Sequence, residues 1–201
     1  MDLLLGTNNK GKIIEISSVL KDLPVTILTP DAIGIAGNPA ETGATFAENA
    51  RQKALFYFEQ SGIPTLADDS GIVVDALKDE LGLHTRRWGA GPDASDEEWI
   101  RFFLERMKRE ENKRARFICH LAHVDAEGKV HLFEGACEGR ITDGLEAEYL
   151  PGLPISACFR PDGFTKVFSA LTIEQKNSTS HRGRAAQSFA SFLRDVAYTG
   201  L

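Results

Sequence analysis

Short apolar runs of strand length alternate along this chain with segments whose apolar residues recur at helical spacing. That alternation commits it to an α/β fold. Asp2 to Thr7 reads DLLLGT, a compact apolar run ending at a glycine, as a buried strand does. From Lys12 the spacing changes: Ile13, Ile16 and Leu20 fall at helical intervals, and Pro24 closes the segment. Val25 to Thr29 is a second strand, followed by a Gly- and Pro-rich loop. Thr45 and Glu48 predict a capping box opening a helix that runs to about Gln60. PTLADDSGIVVDAL, at 64–77, is expected to form strand, loop and strand. Ser95 and Glu98 make a second capping box, with Ile100, Phe103, Leu104 and Met107 lining one helix face. Residues 114–142 predict a long hairpin turning at Asp125 to Gly128, which adds antiparallel pairs and makes the sheet mixed. Thr172 and Gln175 are placed to cap the final helical region.

With 201 residues, 42% of them hydrophobic, the chain can bury a full core as one domain, and no repeat or composition break divides it. A net charge of −6 argues against a nucleic-acid polymer as partner, which would need a broad basic surface. It leaves room for a small anion held by a local group of cations. Cys119, Cys137 and Cys158 are odd in number and form no CxxC pair, so they suit a reducing compartment as small apolar residues. No basic leader and no bilayer-length apolar run is present, so the expectation is a cytoplasmic protein with no membrane partner.

The chemistry-bearing segments begin at the first strand–helix junction. Gly6-Thr7-Asn8-Asn9-Lys10-Gly11-Lys12 fits the glycine and lysine spacing of a P-loop, but Ile13 stands where a P-loop needs a metal-holding hydroxyl. A junction of this kind still favours an anion through free N–H groups and the helix dipole. The bland alternative is a turn with solvated lysines. A metal beside such a phosphate would need carboxylates from elsewhere. Asp68-Asp69-Ser70-Gly71 supplies two, although neighbours on a regular strand face opposite ways, so only one could serve. Glu41-Thr42-Gly43 precedes the Thr45 cap, and Lys53, four residues after Asn49, shares its helix face. Lys176 to Arg184 concentrates hydroxyls, a histidine and cations, and its serine and glycine content predicts a helix break that lets Lys176, His181 and Arg182 converge. His120, His123 and His131, with Cys119, invite a zinc site, but no second close ligand pair completes a tetrahedral set. Trp88, Trp99, Phe189 and Phe192 are expected in core or interface.

Taken together and in order, these segments resemble the noncanonical purine nucleoside triphosphate pyrophosphatases, the inosine/xanthosine triphosphatase family. The family's T-x-N-x-x-K stretch and following glutamate are matched by Thr7, Asn9, Lys12 and Glu15. ETGxTFxENAxxKA is matched from Glu41 to Ala54, ADDSG at 67–71, and KxxxSHRGxA at 176–185. The resemblance covers nearly the whole chain. It implies an elongated mixed β-sheet with flanking helices, two lobes around a central cleft, and a homodimer. It also implies Mg2+-dependent hydrolysis of ITP, dITP and XTP to the monophosphate and pyrophosphate. The implied substrate-binding residues are Thr7, Asn8, Asn9, Lys10, Gly11, Lys12, Lys53, Ser70, Lys176, His181 and Arg182. Glu41 and Asp69 would engage the metal, Asp69 would act as base, and Asp68 is a metal or supporting carboxylate.

Two stretches depart from the family pattern. YLPGLPISACF, at 149–159, replaces a GFGYDP-like stretch and carries no Asp, and His84-Thr85-Arg86-Arg87 replaces a YSAR-like one. A nucleotide sensor with altered base preference and no turnover is therefore the competing expectation. A P-loop-type phosphohydrolase releasing orthophosphate is the third.

Overall fold

The computed structural model describes residues 1–199 except 38, 78, 79, 86, 87 and 92. Six strands form one mixed sheet in the order β2-β1-β3-β4-β5-β6. β1 (Asp2–Leu5) lies parallel to β2 (Thr26–Leu28) on one side and to β3 (Thr65–Val74) on the other. With parallel neighbours on each flank and helices over the faces, Leu3, Leu4 and Leu5 are all fully buried, which is why this strand is apolar without alternation. β3 pairs antiparallel with β4 (Arg114–Val124), β4 with β5 (Val130–Ile141), and β5 with the short β6 (Phe159–Pro161). The β4–β5 hairpin turns at Asp125 to Lys129, where Asp125 Oδ1 accepts from the N–H groups of Glu127 and Lys129.

The expected loop inside PTLADDSGIVVDAL is not formed. β3 runs unbroken for 10 residues, and Ser70 and Gly71 pair with Cys119 and Ile118 of β4. Gly71 marks a close approach, not a turn: a β-carbon there would lie 2.7 Å from the Gly82 carbonyl oxygen and 2.9 Å from the Phe46 ring.

Five α-helices are present among the described residues: α1 (Lys10–Leu20), α2 (Phe46–Ser61), α3 (Asp96–Met107), α4 (Ile173–Thr179) and α5 (His181–Thr199). The Ser95–Glu98 and Thr172–Gln175 boxes are reciprocal, as the spacing predicts. At α2 only half the expected box forms. Thr45 Oγ1 accepts from the Glu48 N–H at 3.1 Å, but the Glu48 carboxylate reaches past the cap to the N–H of Ala44 at 2.6 Å. The final helical region breaks at Ser180, whose backbone is extended between α4 and α5.

Three apolar clusters explain the two lobes. α1 and α5 cover one sheet face through Ile16, Leu20, Ala185, Ala186 and Phe189, packed on Leu3, Leu5, Leu66 and Leu121. α2 covers the opposite face with Ala50 and Ala54 against Ala67, Ala122 and Val124. The second lobe gathers Trp99, Ile100 and Phe103 of α3 onto Ile72, Val74, Ala115 and Ile141, closed by Phe159 and Phe168. Each fully buried leucine or phenylalanine contributes roughly 1.5–3 kcal/mol. Leu66 belongs to one lobe and Ile72 to the other, so residues 67–71 of β3 cross the junction between them.

Cys119, Cys137 and Cys158 are buried free thiols. No helix of the described residues is long and apolar enough to cross a membrane. His123 is buried, with its Nδ1 3.2 Å from the Thr65 carbonyl oxygen, and His131 Nε2 lies 2.8 Å from Asp125 Oδ2.

Burial pushes His123 down to about 4 from an ordinary 6.5. Below pH 6.5 the unfolded chain takes up a proton there that the folded chain refuses, so stability is lost as pH falls from 6.5 towards 4. The full effect is roughly 3 kcal/mol. Urea denaturation of the wild type and His123→Leu across that window should show a flatter pH dependence in the variant. Equal slopes would assign the loss to other groups.

Candidate active site

The charged end of the site starts from α1. Asn9 caps this helix by accepting the Lys12 N–H on its side chain at 3.1 Å, while Thr7 Oγ1 accepts the Asn9 N–H at 3.2 Å. Gly11 lets the first turn press against the 149–159 stretch: a β-carbon there would stand 2.7 Å from Leu153 Cδ1 and 2.9 Å from the Pro151 carbonyl oxygen. The helix start is thereby fixed with Lys12 reaching inward to an ion pair with Asp68.

Because β3 is a regular strand, Asp68 and Asp69 face opposite ways, and their environments diverge. Asp68 has no exposed side-chain surface. It pairs with Lys12 and with Arg182 Nε at 3.1 Å, and Cys119 Sγ lies 3.6 Å away. Burial alone would raise the Asp68 carboxyl; the charges of Lys12, Arg182 and Lys53 hold it far below the ordinary carboxylate range. Arg182 is spread over three partners, donating also to Glu15 and, at 2.8 Å, to Ser70 Oγ. Glu15 in turn binds Lys176 at 2.6 Å. Burial acts to raise the Glu15 carboxyl, but Arg182 and Lys176 together lower it.

Asp69 faces α2. Lys53 Nζ donates to its Oδ1 at 2.8 Å and Asn49 Nδ2 to its Oδ2 at 3.1 Å, the two donors one helical turn apart. Lys53 also donates to Glu41 Oε1 at 2.9 Å. The loop carrying Glu41 is tied to the same helix, since Asn49 Oδ1 accepts the Gly43 N–H at 2.8 Å and Gln52 Oε1 accepts the Thr42 N–H at 3.3 Å. Here burial outweighs the attraction of Lys53, and the nearby Glu41 charge adds to it, so Asp69 stands above its ordinary value. One carboxylate of the pair is thus a locked anion and the other a stronger base than a solvated aspartate.

Asp69, Ser70, Lys12, Glu15, Glu41 and Arg182 form the charged end of a cavity of about 330 Å³. Its other end is apolar, walled by Leu83, Trp99, Phe117, Leu153, Ile155 and Phe168. His181 joins the two. Its imidazole stacks on Phe117, ring centroids 4.6 Å apart and planes 11° apart, and its Nδ1 has no hydrogen-bond partner. Burial, aided by the Arg182 charge, lowers its pKa well below the ordinary value, so the ring is neutral.

Of the sequence-predicted residues, Asn9, Lys12, Glu41, Asp69, Ser70, His181 and Arg182 line this cavity. Lys53 and Lys176 grip the lining carboxylates Glu41, Asp69 and Glu15. Thr7, Asn8 and Gly11 are not among the lining residues, and Lys10 is exposed to solvent. Asn49 organises Asp69, and its place one turn before Lys53 was the available signal. The apolar wall, including Trp99, carried no signal to separate it from core. The 149–159 departure lies within the lining, whereas Arg86 and Arg87 of the other departure lie outside the described residues.

Glu41 and Asp69, held by a single ammonium, are the oxygen donors of a type that a hard divalent cation accepts. Among the described residues no group of three or more His, Cys, Asp or Glu side chains gathers as a complete protein cage for a metal. The two oxygens therefore suit a cation that takes its remaining ligands from a bound anion and water.

A charged end with acids and cations interleaved opens onto an aromatic-walled end, a chemistry suited to an anionic ligand with a flat apolar body. The chain belongs to the Ham1 family, whose model matches residues 3–192. It is 43% identical over 192 residues to the dITP/XTP pyrophosphatase of Leptospira interrogans, covering 96% of each chain. It is 37% identical over 196 residues to that of Treponema denticola, covering 96% of this chain and 99% of its relative. Among solved structures, a HAM1 protein from Coxiella burnetii superposes with a TM-score of 0.82 at 29% identity, over 97% of this chain and 99% of that one.

Asp68→Asn should leave two cations buried against a neutral amide. The expected loss is roughly 3–5 kcal/mol of folding stability in chemical denaturation. A loss below about 1 kcal/mol, the scale of an exposed ion pair, would show that Asp68 is not the anchor described.

Proposed function

We propose that this chain hydrolyses noncanonical purine nucleoside triphosphates (ITP, dITP and XTP) to the nucleoside monophosphate and pyrophosphate, with magnesium, as one catalytic domain. The observation that carries this is the interleaving of four cations from α1, α2, α4 and α5 with four carboxylates at and behind the charged end of one cavity: Lys53 on Glu41 and Asp69, Lys12 and Arg182 on Asp68, and Lys176 on Glu15. The names of the relatives supply the substrate class.

In this mechanism the triphosphate lies along the charged end, where Lys12, Lys53 and Lys176 neutralise its oxygens, and the base enters the aromatic end. Asp69, made more basic by burial, accepts a proton from the attacking water. The water oxygen bonds to phosphorus, the α–β bridging P–O bond breaks, and the electron pair leaves on the bridging oxygen. Lysine ammonium groups stabilise the charge gathering on the leaving oxygen. Magnesium, held by Glu41 and Asp69 with the substrate's phosphates, would polarise the phosphoryl oxygens and acidify water. Asp68 does no chemistry; it fixes Lys12 and Arg182. Thr7 and Asn9 shape the strand–helix junction that positions Lys12, and Ser70 positions Arg182.

Purified protein incubated with ITP, XTP, dITP, ATP and GTP and magnesium should release pyrophosphate and monophosphate from the first three. Binding without pyrophosphate release would favour the sensor, and orthophosphate as the first product would favour cleavage elsewhere. Asp69→Asn should lower kcat at least about 100-fold with an unchanged melting temperature. Wild-type turnover in that variant would remove Asp69 from the base role. A homodimer in the cytoplasm, with no membrane or nucleic-acid polymer as partner, completes the proposal; light scattering at twice the monomer mass tests the dimer.

A further inference from the structure

The Lys53 ammonium occupies the point at which Glu41 and Asp69 converge. It donates to Glu41 Oε1 at 2.9 Å and to Asp69 Oδ1 at 2.8 Å, and its side chain is only 12% exposed. The arrangement is braced, because Asn49, one turn earlier on α2, fixes the second oxygen of Asp69 at 3.1 Å and also holds the loop of Glu41 through Gly43. Burial works against the ammonium, but the charges of Asp69, Asp68 and Glu41 more than compensate, so Lys53 remains protonated.

A divalent cation on these two oxygens would sit beside the Lys53 ammonium, which repels it at contact distance and already takes one lone pair from each oxygen. Two carboxylates are also too few for magnesium, which demands six oxygens in near-octahedral array. An incoming polyphosphate changes both conditions at once: it offers oxygens to the metal and a competing anion to the lysine.

We propose that Lys53 is an exchange residue, which clasps Glu41 and Asp69 together in the nucleotide-free protein and leaves them for the polyphosphate, so that the two carboxylates accept a divalent cation only when nucleotide arrives. The inference deepens the pyrophosphatase proposal and rests on it. Metal and nucleotide would then bind with positive coupling, each strengthening the other.

Mn2+ serves as probe, its free ion read by electron paramagnetic resonance during titration into nucleotide-free protein. The wild type should bind it poorly, whereas Lys53→Met should bind at least about tenfold more tightly, having lost one positive charge at the seat. Lys53→Gln, which keeps a hydrogen-bond donor but no charge, should gain in the same direction. Mn2+ should raise the melting temperature of that variant and leave the wild type unmoved. Equal Mn2+ affinity in wild type and folded variants overturns the exchange. So does a wild-type dissociation constant below about 10 µM without nucleotide, the range of dedicated cation sites. Pyrophosphate release from ITP by the wild type is measured separately. Turnover with no variant gain defeats the exchange alone, while absence of turnover defeats the parent proposal.

Discussion

The structure turns on a carboxylate that has no water. Asp68 sits in the middle of β3 with no exposed side-chain surface, and a charge so placed persists only if cations come to it. Those cations are Lys12, from the first turn of α1, and Arg182, from the first turn of α5. Removing charges from water costs several kcal/mol per ion, so such a pair is a weak source of net stability. What it supplies is position. Arg182 continues to Glu15 and Ser70, and Glu15 to Lys176, so one chain of ion pairs joins the start of the sequence, its middle and its end.

The strand period turns one dipeptide into two kinds of acid. Asp68, facing the cations of α1 and α5, is driven down; Asp69, facing α2 and burdened by burial, is driven up. Two titratable neighbours are pushed apart by their environments, one a fixed anion and the other a carboxylate of raised basicity, the division that the proposed hydrolysis would use. Charge balance bears on how a polyphosphate would enter. Glu15, Glu41, Asp68 and Asp69 are matched by Lys12, Lys53, Lys176 and Arg182, so these eight side chains carry no net charge. Under the proposed function an anion would gain a foothold there by exchanging partners with the carboxylates.

Much of this was legible in sequence because its causes are local. The Ser95 and Thr172 boxes, the β4–β5 hairpin and the break at Ser180 follow from residues within one turn of each other. The strand through Asp68 to Gly71 was not legible. Ser70 and Gly71 resemble turn residues, and the reason for the glycine, the Gly82 carbonyl and Phe46 ring against its α-carbon, comes from distant segments. Lys10 and Lys12 were separable in principle: two positions apart on α1 is about 200° of rotation, so only one could face inward. For Trp99, Phe117 and Leu153 no such signal existed, since an apolar residue walling a cavity and one filling a core look alike in a single sequence.

Part of that apolar wall comes from 149–159, the stretch that departs from the pattern of the resemblance. Along 149–159, Ser156 Oγ donates to the Leu153 carbonyl at 2.6 Å, so its proton is already committed inside its own turn. Gly152 donates its N–H to an Asp96 carboxylate oxygen at the start of α3. His181 is neutral and lies flat on Phe117, while three Arg182 nitrogens already have partners. The end that would receive a base therefore presents flat rings and aliphatic edges, with charge confined to the opposite end. A pocket divided in this way would grip the tail by charge and admit the base by stacking and shape. Discrimination by shape alone is shallow, one extra group in an apolar slot being worth only about 1–3 kcal/mol. Sharper selection among bases would have to come from polar groups of the lining, such as the His181 imidazole, Thr85 or the backbone of residues 152–156.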